Sequence, residues 1–282
     1  MTHPRLLPAR PDLAAAYLKG QVEAERYVEP VDMQVTAGVA AIRREARDDG
    51  PMDTQALSGE VFAVLDEVDG WAWGFSRHDG YVGYVDMAAL SVPVRPVTHR
   101  VSALRTYLFS QPDLKSAPHF LLSMNSKILA GEKRGRYVDA GGRGWVFEGH
   151  LVPIDHAEPD YVTVAERFVG TPYLWGGKES LGLDCSGLVA TSLEAAGIPV
   201  LRDTDMQESE LAERFAVIPP EAPRQRGDIV FWTGHVGIMV DDKRILHANA
   251  HFLKTVIEPV SETEKRAVSN GSPVTSVVRL KA

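Results

Sequence analysis

One segment of this 282-residue chain occurs twice: Gly83-Tyr-Val-Asp-Met-Ala-Ala-Leu90 returns as Gly144-Trp-Val-Phe-Glu-Gly-His-Leu151, sixty-one residues further on. A repeat of that period marks a small structural unit used in tandem. Short alternating apolar runs precede the first copy: Val61-Phe-Ala-Val-Leu65, Trp71-Ala-Trp-Gly-Phe75 and Tyr81-Val-Gly-Tyr-Val85. Asp-Gly pairs at 69–70 and 79–80 punctuate them. Period-two alternation broken by Asp-Gly reads as strands joined by tight turns. Leu104-Arg-Thr-Tyr-Leu108, Lys127-Ile-Leu-Ala130 and Arg136-Tyr-Val138 lead into the second copy in the same order. The repeat therefore implies two small β barrels, with Pro-rich joints at 93–96 and 153–159.

Beyond Asp160 the texture changes. Val162 to Val169 has helical spacing, Gly182 to Ala196 leads into a second helix, and 227–258 holds several short strands. Helices followed by strands indicate an α+β domain. At the other end, residues 9–28 are rich in Ala and Glu, with Leu13, Tyr17 and Leu18 at helical spacing, and predict a short surface helix. The expected organisation is an N-terminal helical segment at 1–34, barrels at 35–95 and 96–155, and a third domain at 156–282.

Composition narrows function. Hydrophobic residues make up 44% and charged residues 24%, the mix of a folding globular chain. A formal net charge of -8 disfavours a broad nucleic-acid or anionic-membrane footprint. No stretch approaches the roughly 18 apolar residues of a membrane helix. The first residues lack the charged and apolar regions of a secretory signal, so a cytoplasmic location is expected. With a single cysteine the chain forms no internal disulfide and no multi-Cys metal site. The His residues are scattered without a His-Glu-x-x-His pattern, and no metal or cofactor is expected.

That cysteine sits in the most informative stretch. Cys185 follows a Gly-rich loop and Asp184, and precedes Leu188, Val189, Ser192, Leu193 and Ala196, one helical face ended by Gly197 and Pro199. A thiol at a helix N-terminus is expected to be activated, because the dipole and free amides favour the thiolate. Its base is sought in Gly234-His-Val-Gly-Ile-Met-Val-Asp-Asp-Lys-Arg-Ile-Leu-His-Ala. If Asp241, Asp242 and Lys243 form a three-residue hairpin loop, His235 and His247 are diagonal neighbours on one face. A two-residue loop would put them on opposite faces. In the first case one imidazole takes the thiol proton and the other orients it.

Tyr173-Leu-Trp-Gly-Gly, Asp184-Cys-Ser-Gly-Leu-Val, Arg226-Gly-Asp-Ile-Val-Phe-Trp, Gly234-His-Val-Gly-Ile and Leu246-His-Ala, in this order, resemble the successive motifs of the NlpC-type cell-wall cysteine peptidases. The resemblance covers about residues 160–282 and implies a papain-like α+β domain. It implies Cys185 as nucleophile, His235 as base, His247 as orienting residue and Tyr173 near the oxyanion, with Asp184 and Ser186 on the substrate side. The two barrels resemble bacterial SH3-like domains, whose last strand reads Gly-aromatic-Val before a short turn and Leu.

Two such domains ahead of the peptidase resemble the γ-D-glutamyl-L-diamino-acid endopeptidases that recycle cell-wall peptides, the dipeptidyl-peptidase VI type. In that subgroup an acid and a tyrosine of the first SH3-like domain hold the free amine of an N-terminal L-alanine. Gln55-Ala-Leu-Ser-Gly-Glu60 and Gly80-Tyr81-Val-Gly-Tyr84 match those segments, which implies Glu60 and Tyr81. A partly buried ammonium does need a carboxylate. Asp203 and Thr204 match a family segment near the cleft, although Leu201 stands where the family often has Pro. The implied partner is a small cell-wall peptide, cut before a diamino acid such as meso-diaminopimelate. Two rivals remain: an amidase or acyltransferase of the same fold, and a peptide-binding module with an idle thiol.

Overall fold

Alternating strands near the N-terminus assemble a seven-stranded antiparallel sheet that runs from Val31–Val35 through Leu90–Ser91. The chain is described here by a computed structural model, covering residues 3–219 and 221–280, and it divides into two units at Ile154 and Asp155. Asp69-Gly70 closes the hairpin between Val61–Val68 and Trp71–Ser76, with Val68 paired to Trp71. Both turn residues have positive φ, 50° and 81°. Asp tolerates and Gly favours that conformation, which matches the strand twist. One face of the sheet buries Val35, Ile42, Phe62, Tyr81 and Val85.

The opposite face carries Ala63, Leu65, Trp73 and Phe75, and the N-terminal segment covers it with Leu13, Ala15 and Leu18. That segment is not the expected helix over 9–28. It consists of short strands at Leu13–Ala15 and Arg26–Val28, paired in parallel, with a 3-10 turn at Ala16–Leu18. Leu13, Ala14 and Ala15 are all fully buried, which an extended backbone permits and a helix with one apolar face does not. The same unit continues into a second barrel built from a three-stranded and a five-stranded sheet around Val101, Leu108, Leu122, Ile128 and Val146. The repeated octapeptide has one structure in both places. Val82–Asp86, a 3-10 turn Met87–Ala89 and Leu90–Ser91 correspond to Trp145–Phe147, Glu148–His150 and Leu151–Pro153.

In the second unit, strands β1 (Ala216–Ile218), β2 (Asp228–Trp232), β3 (His235–Met239), β4 (Arg244–Asn249), β5 (Lys254–Pro259) and β6 (Val274–Arg279) form one sheet in the order β1-β6-β2-β3-β4-β5. All neighbours are antiparallel. Helices α1 (Tyr161–Glu166), α2 (Cys185–Ala195), α3 (Thr204–Arg214) and α4 (Val260–Ser269) belong to the same unit, as does a two-stranded sheet of Lys178–Glu179 and Gly182–Leu183. Asp160 caps α1 by accepting the Val162 amide at 2.9 Å. Apolar residues lie on both sides of β2, with Val230 and Trp232 alternating against Ile229 and Phe231, so the sheet is covered on both faces. The family of α+β folds expected for this region is the one found.

Candidate active site

Asp184 starts α2 and thereby places Cys185. Its Oδ1 accepts the Gly187 amide at 2.7 Å as an N-cap, and its Oδ2 accepts the Gly176 amide at 2.8 Å. Gly187 lets the helix start lie against the Gly-rich loop, since a Cβ there would stand 2.1 Å from the Gly177 carbonyl oxygen. The Arg202 guanidinium, 1% exposed, donates to both Asp184 oxygens at 3.0 and 2.9 Å, to Ser186 Oγ at 2.8 Å and to the Gly177 carbonyl at 3.1 Å. The sequence reading put Asp184 and Ser186 on the substrate side. Here both Asp184 oxygens and the Ser186 hydroxyl are committed to a buried network, because a buried guanidinium requires a carboxylate and further acceptors.

The Cys185 thiol is buried and faces the backbone amides of Ser186 and Val236, with Thr204 Oγ1 at 3.9 Å. Burial pushes the thiol up to about 11, and the Asp184 charge adds to this against the hydrogen bonds it receives. The expected lowering by the helix start is thus overridden, because desolvation opposes the thiolate more strongly than the helix end favours it. Tyr173 lies half-buried beside the thiol. Burial raises its phenol, and the negative charges available to Cys185 and Asp184 raise it further. It is therefore a neutral O–H donor at neutral pH.

The hairpin between β3 and β4 has the three-residue loop Asp241-Asp242-Lys243, with the Val240 amide bonded to the Arg244 carbonyl at 2.9 Å. That register sets His235 and His247 diagonally on one face, with His235 Nε2 2.8 Å from His247 Nδ1. Gly237 faces His247 across the ladder, and a Cβ there would lie 2.7 Å from Ile245 Cδ1 and 3.2 Å from His247 Cβ. His235 begins the strand whose next residue, Val236, turns its amide to the sulfur. Burial lowers His235 to about 3, with the His247 and Arg266 charges adding to the effect and Glu258 opposing it. Thiol and imidazole are thus both neutral at rest.

Behind His247 the sequence reading named nothing, yet the structure places a carboxylate there. Glu258 Oε1 lies 2.9 Å from His247 Nε2 and 3.0 Å from Thr263 Oγ1, and it also accepts from Arg266. Burial opposes its charge, but the bonds from His247, Arg266 and Thr263 prevail and hold it at about 2. Asn249 is a buried residue of β4 with Nδ2 3.1 Å from His247 Nε2. His251 is exposed and its amide donates to Asn249 Oδ1. A cavity of about 360 Å³ opens beside His235, lined by Trp232, Asn249, His251, Thr263 and Arg266 among others. The two facing ring nitrogens of the imidazole pair bond each other, which leaves that gap no room for a metal ion.

Of the other residues singled out in the sequence, Thr204 opens α3 with its hydroxyl toward the sulfur and Asp203 holds the N-cap position before it. In the first unit, Glu60 is 3% exposed; its Oε2 accepts the Leu57 amide at 3.0 Å and its Oε1 is 3.8 Å from Lys127 Nζ. Tyr81 is buried in the first barrel.

Residues 170–269 match the model of the NlpC/P60 family, and residues 42–90 match that of the bacterial dipeptidyl-peptidase Sh3 domain. The chain carries an NlpC/P60 domain behind a bacterial SH3 domain. Among its relatives is dipeptidyl-peptidase 6 of Lysinibacillus sphaericus, 34% identical over 97 residues, 34% of each chain. The γ-D-glutamyl-L-lysine dipeptidyl-peptidase of Bacillus subtilis is 25% identical over 78% of this chain and 81% of its own. The protein of that name from Bacillus cereus is 29% identical over 70% and 67%. The chain thus spans about a third of the first of these relatives and at least two thirds of the other two. A crystal structure of an NlpC/P60 family protein from Bacillus cereus superposes with a TM-score of 0.70 at 18% identity, over 82% of this chain and 94% of that one, and so shares the fold. These findings class the chain as a hydrolase, a peptidase. No helix among the described residues is long and apolar enough to cross a membrane.

Arg202 and Glu258 were the residues that sequence reasoning missed. Arg202 had a local signal, a lone cation in Leu201-Arg-Asp-Thr beside the helix start that Asp184 caps. Glu258 had none, since its partner is reached only by pairing β5 with β4.

Proposed function

We propose that the chain is a cysteine endopeptidase that hydrolyses the amide between γ-D-glutamate and a diamino acid, meso-diaminopimelate in the simplest case, in short cell-wall peptides with a free N-terminal L-alanine. The observation that carries this reading is the buried thiol at the start of α2 beside strand β3, which begins with His235, itself hydrogen-bonded to His247 of β4. The names of the relatives support the substrate class. His235 Nε2 is taken by His247, which leaves Nδ1 for the thiol proton. Because both groups rest neutral, proton transfer to Nδ1 accompanies attack of sulfur on the γ-carbonyl carbon. The Tyr173 O–H and backbone amides near the helix start stabilise the oxyanion. When the tetrahedral species collapses, the C–N bond breaks and His235 returns the proton to the leaving amine. Water then cleaves the thioester. The cavity beside His235 offers room for the leaving diamino acid.

In this reading Glu60 and Tyr81 hold the free ammonium of the peptide, Asp203 and Thr204 border the cleft, and the reaction recycles small peptides in the cytoplasm. The test is a panel of free tripeptides and tetrapeptides, their N-acetylated forms and intact sacculi, with products identified by mass spectrometry. Free peptides are cut; N-acetylated peptides and sacculi resist; Cys185→Ala is inactive with an unchanged circular dichroism spectrum; Glu60→Gln raises KM about ten- to a hundredfold, the worth of a charge-assisted bond. Equal cleavage of free and N-acetylated peptides removes the amine clamp, and turnover by Cys185→Ala removes the covalent mechanism.

A further inference from the structure

We infer that Glu258, carried on β5 and held by Thr263 and Arg266 of α4, is a positioning residue that selects the working tautomer of the His247–His235 pair. The inference rests on the roles proposed above for Cys185 and His235.

The two ring nitrogens of His247 face different partners. Nδ1 meets His235 Nε2 at 2.8 Å, and Nε2 meets Glu258 Oε1 at 2.9 Å. A neutral imidazole carries one proton, so one contact is a donation and the other an acceptance. With the proton on His247 Nε2, Nδ1 accepts from His235 Nε2–H, and His235 Nδ1 is left as a lone pair for the thiol proton. With the proton on His247 Nδ1, the order reverses: His235 carries its own proton on Nδ1 and cannot accept another there. Only the first arrangement is a base.

Two neighbours compete for that choice at the same nitrogen. The Asn249 amide nitrogen, a donor 3.1 Å from His247 Nε2 and farther, 3.5 Å, from Nδ1, favours the idle arrangement through its shorter contact; its orientation is set by Oδ1, which accepts the His251 amide at 2.6 Å. Glu258 is an ionised acceptor with no proton to give, so its 2.9 Å contact requires a proton on Nε2. Charge-assisted bonds are roughly twice as strong as neutral ones, so the carboxylate prevails. Thr263 and Arg266 stand one helical step apart, and both donate to the oxygen that meets His247. They fix the carboxylate where it must act. The sequence carries no mark of this device, because Glu258, Thr263 and Arg266 meet His247 only in the folded sheet and helix.

The charged and titratable groups around His235 among the described residues are His247 on β4, Glu258 on β5 and Arg266 on α4, with His251 in the wall of the cavity beside it. Glu258 favours the imidazolium and Arg266 disfavours it. Removing the carboxylate therefore lowers the basicity of the pair and moves the acid limb of activity to lower pH. Removing the guanidinium moves it to higher pH. General damage to the fold produces no such opposite pair of shifts.

The experiment has two readouts on the full chain. Imidazole nitrogen-15 spectra of the Cys185→Ala protein, recorded without substrate, report the tautomers directly. The expected result is His247 protonated on Nε2, and a shift toward Nδ1 when Glu258→Gln is added. Kinetics of Glu258→Gln should show kcat lowered about ten- to a hundredfold, the scale known for carboxylates behind metal-ligating histidines, with KM within about twofold and the acid limb displaced downward. Arg266→Met keeps the carboxylate and should displace the limb upward, which preserves a test if Glu258→Gln does not fold. A parent spectrum with His247 protonated on Nδ1, or folded Glu258→Gln with unchanged kcat and acid limb, overturns the proposal. Absence of turnover by the unmodified chain would instead remove the peptidase reading, and the tautomer spectra would still decide this one.

Discussion

Replacing Arg202 by Met should be the most destabilising single change near the candidate site. The side chain is 1% exposed and donates to both Asp184 oxygens, to Ser186 Oγ and to the Gly177 carbonyl. Met fills much of the volume but leaves the Asp184 carboxylate buried with neutral donors, the Gly176 and Gly187 amides and the Ser186 hydroxyl, and no cation. Breaking a buried pair from one side costs about 3–5 kcal/mol, because the remaining charge is uncompensated. Hydrogen exchange of the α2 amides, read by mass spectrometry in the native state, should register this as protection lowered roughly a hundred- to several-thousandfold. Arg226→Met provides the scale: Arg226 also pairs with two acids, Asp160 at 2.7 Å and Glu166 at 3.2 Å, but all three side chains are 36–41% exposed. That loss should stay below about 1 kcal/mol. Adding Asp184→Leu to Arg202→Met should recover part of the stability, since the orphaned charge is gone. If Arg202→Met cost no more than Arg226→Met, the argument that burial makes this pair structurally decisive would be refuted.

Three further outcomes follow from the geometry. His235→Ala should lose more kcat than His247→Asn, since the second change removes an orienting group and the first the proton carrier; equal losses in parallel assays would mean that the pair does not divide these roles. Gly237→Ala should lower kcat with little change in KM, because the added methyl meets Ile245 and His247 and displaces the ring; unchanged steady-state kinetics would show that the ladder accommodates it. Alkylation of Cys185 by iodoacetamide should be slow at neutral pH and accelerate about tenfold per pH unit toward pH 9, because burial raises the thiol and only the thiolate reacts. A rate that plateaus at neutral pH would reveal a resting thiolate.

The parts of the site that could be read from the sequence are those whose signals are local. An Asp-Cys pair before an apolar helical face places a thiol at a helix start, and α2 begins at Cys185. Whether His235 and His247 meet depends on one residue of loop length, which the sequence left open and the Val240–Arg244 bond decides. The helix end that favours the thiolate is visible in the sequence, and the burial that opposes it is not. The buried partner of Asp184 and Ser186, Arg202, was not legible from local spacing because it lies 18 and 16 residues away. Leu13-Ala-Ala15 read as helix from residues that favour helices, but complete burial against the first barrel selected a strand; tertiary context overrode propensity.

The duplicated barrel is not two equal copies. The Gly59 turn brings the first copy so near the second that a Cβ there would stand 2.1 Å from the Lys127 carbonyl oxygen, and the Lys127 amide donates to the Ser58 carbonyl at 2.7 Å. From that seam the Lys127 ammonium reaches to 3.8 Å from the Glu60 carboxylate. One copy thus lends a cation to the other. The second barrel, which carries none of the residues assigned to chemistry, offsets the charge of an acid assigned to bind substrate. Under the proposed amine-binding role of Glu60, drift at Lys127 would change how strongly the first barrel attracts its ligand, without a single substitution in that barrel or in the peptidase. Duplication here has left a spare copy with an electrostatic duty of its own.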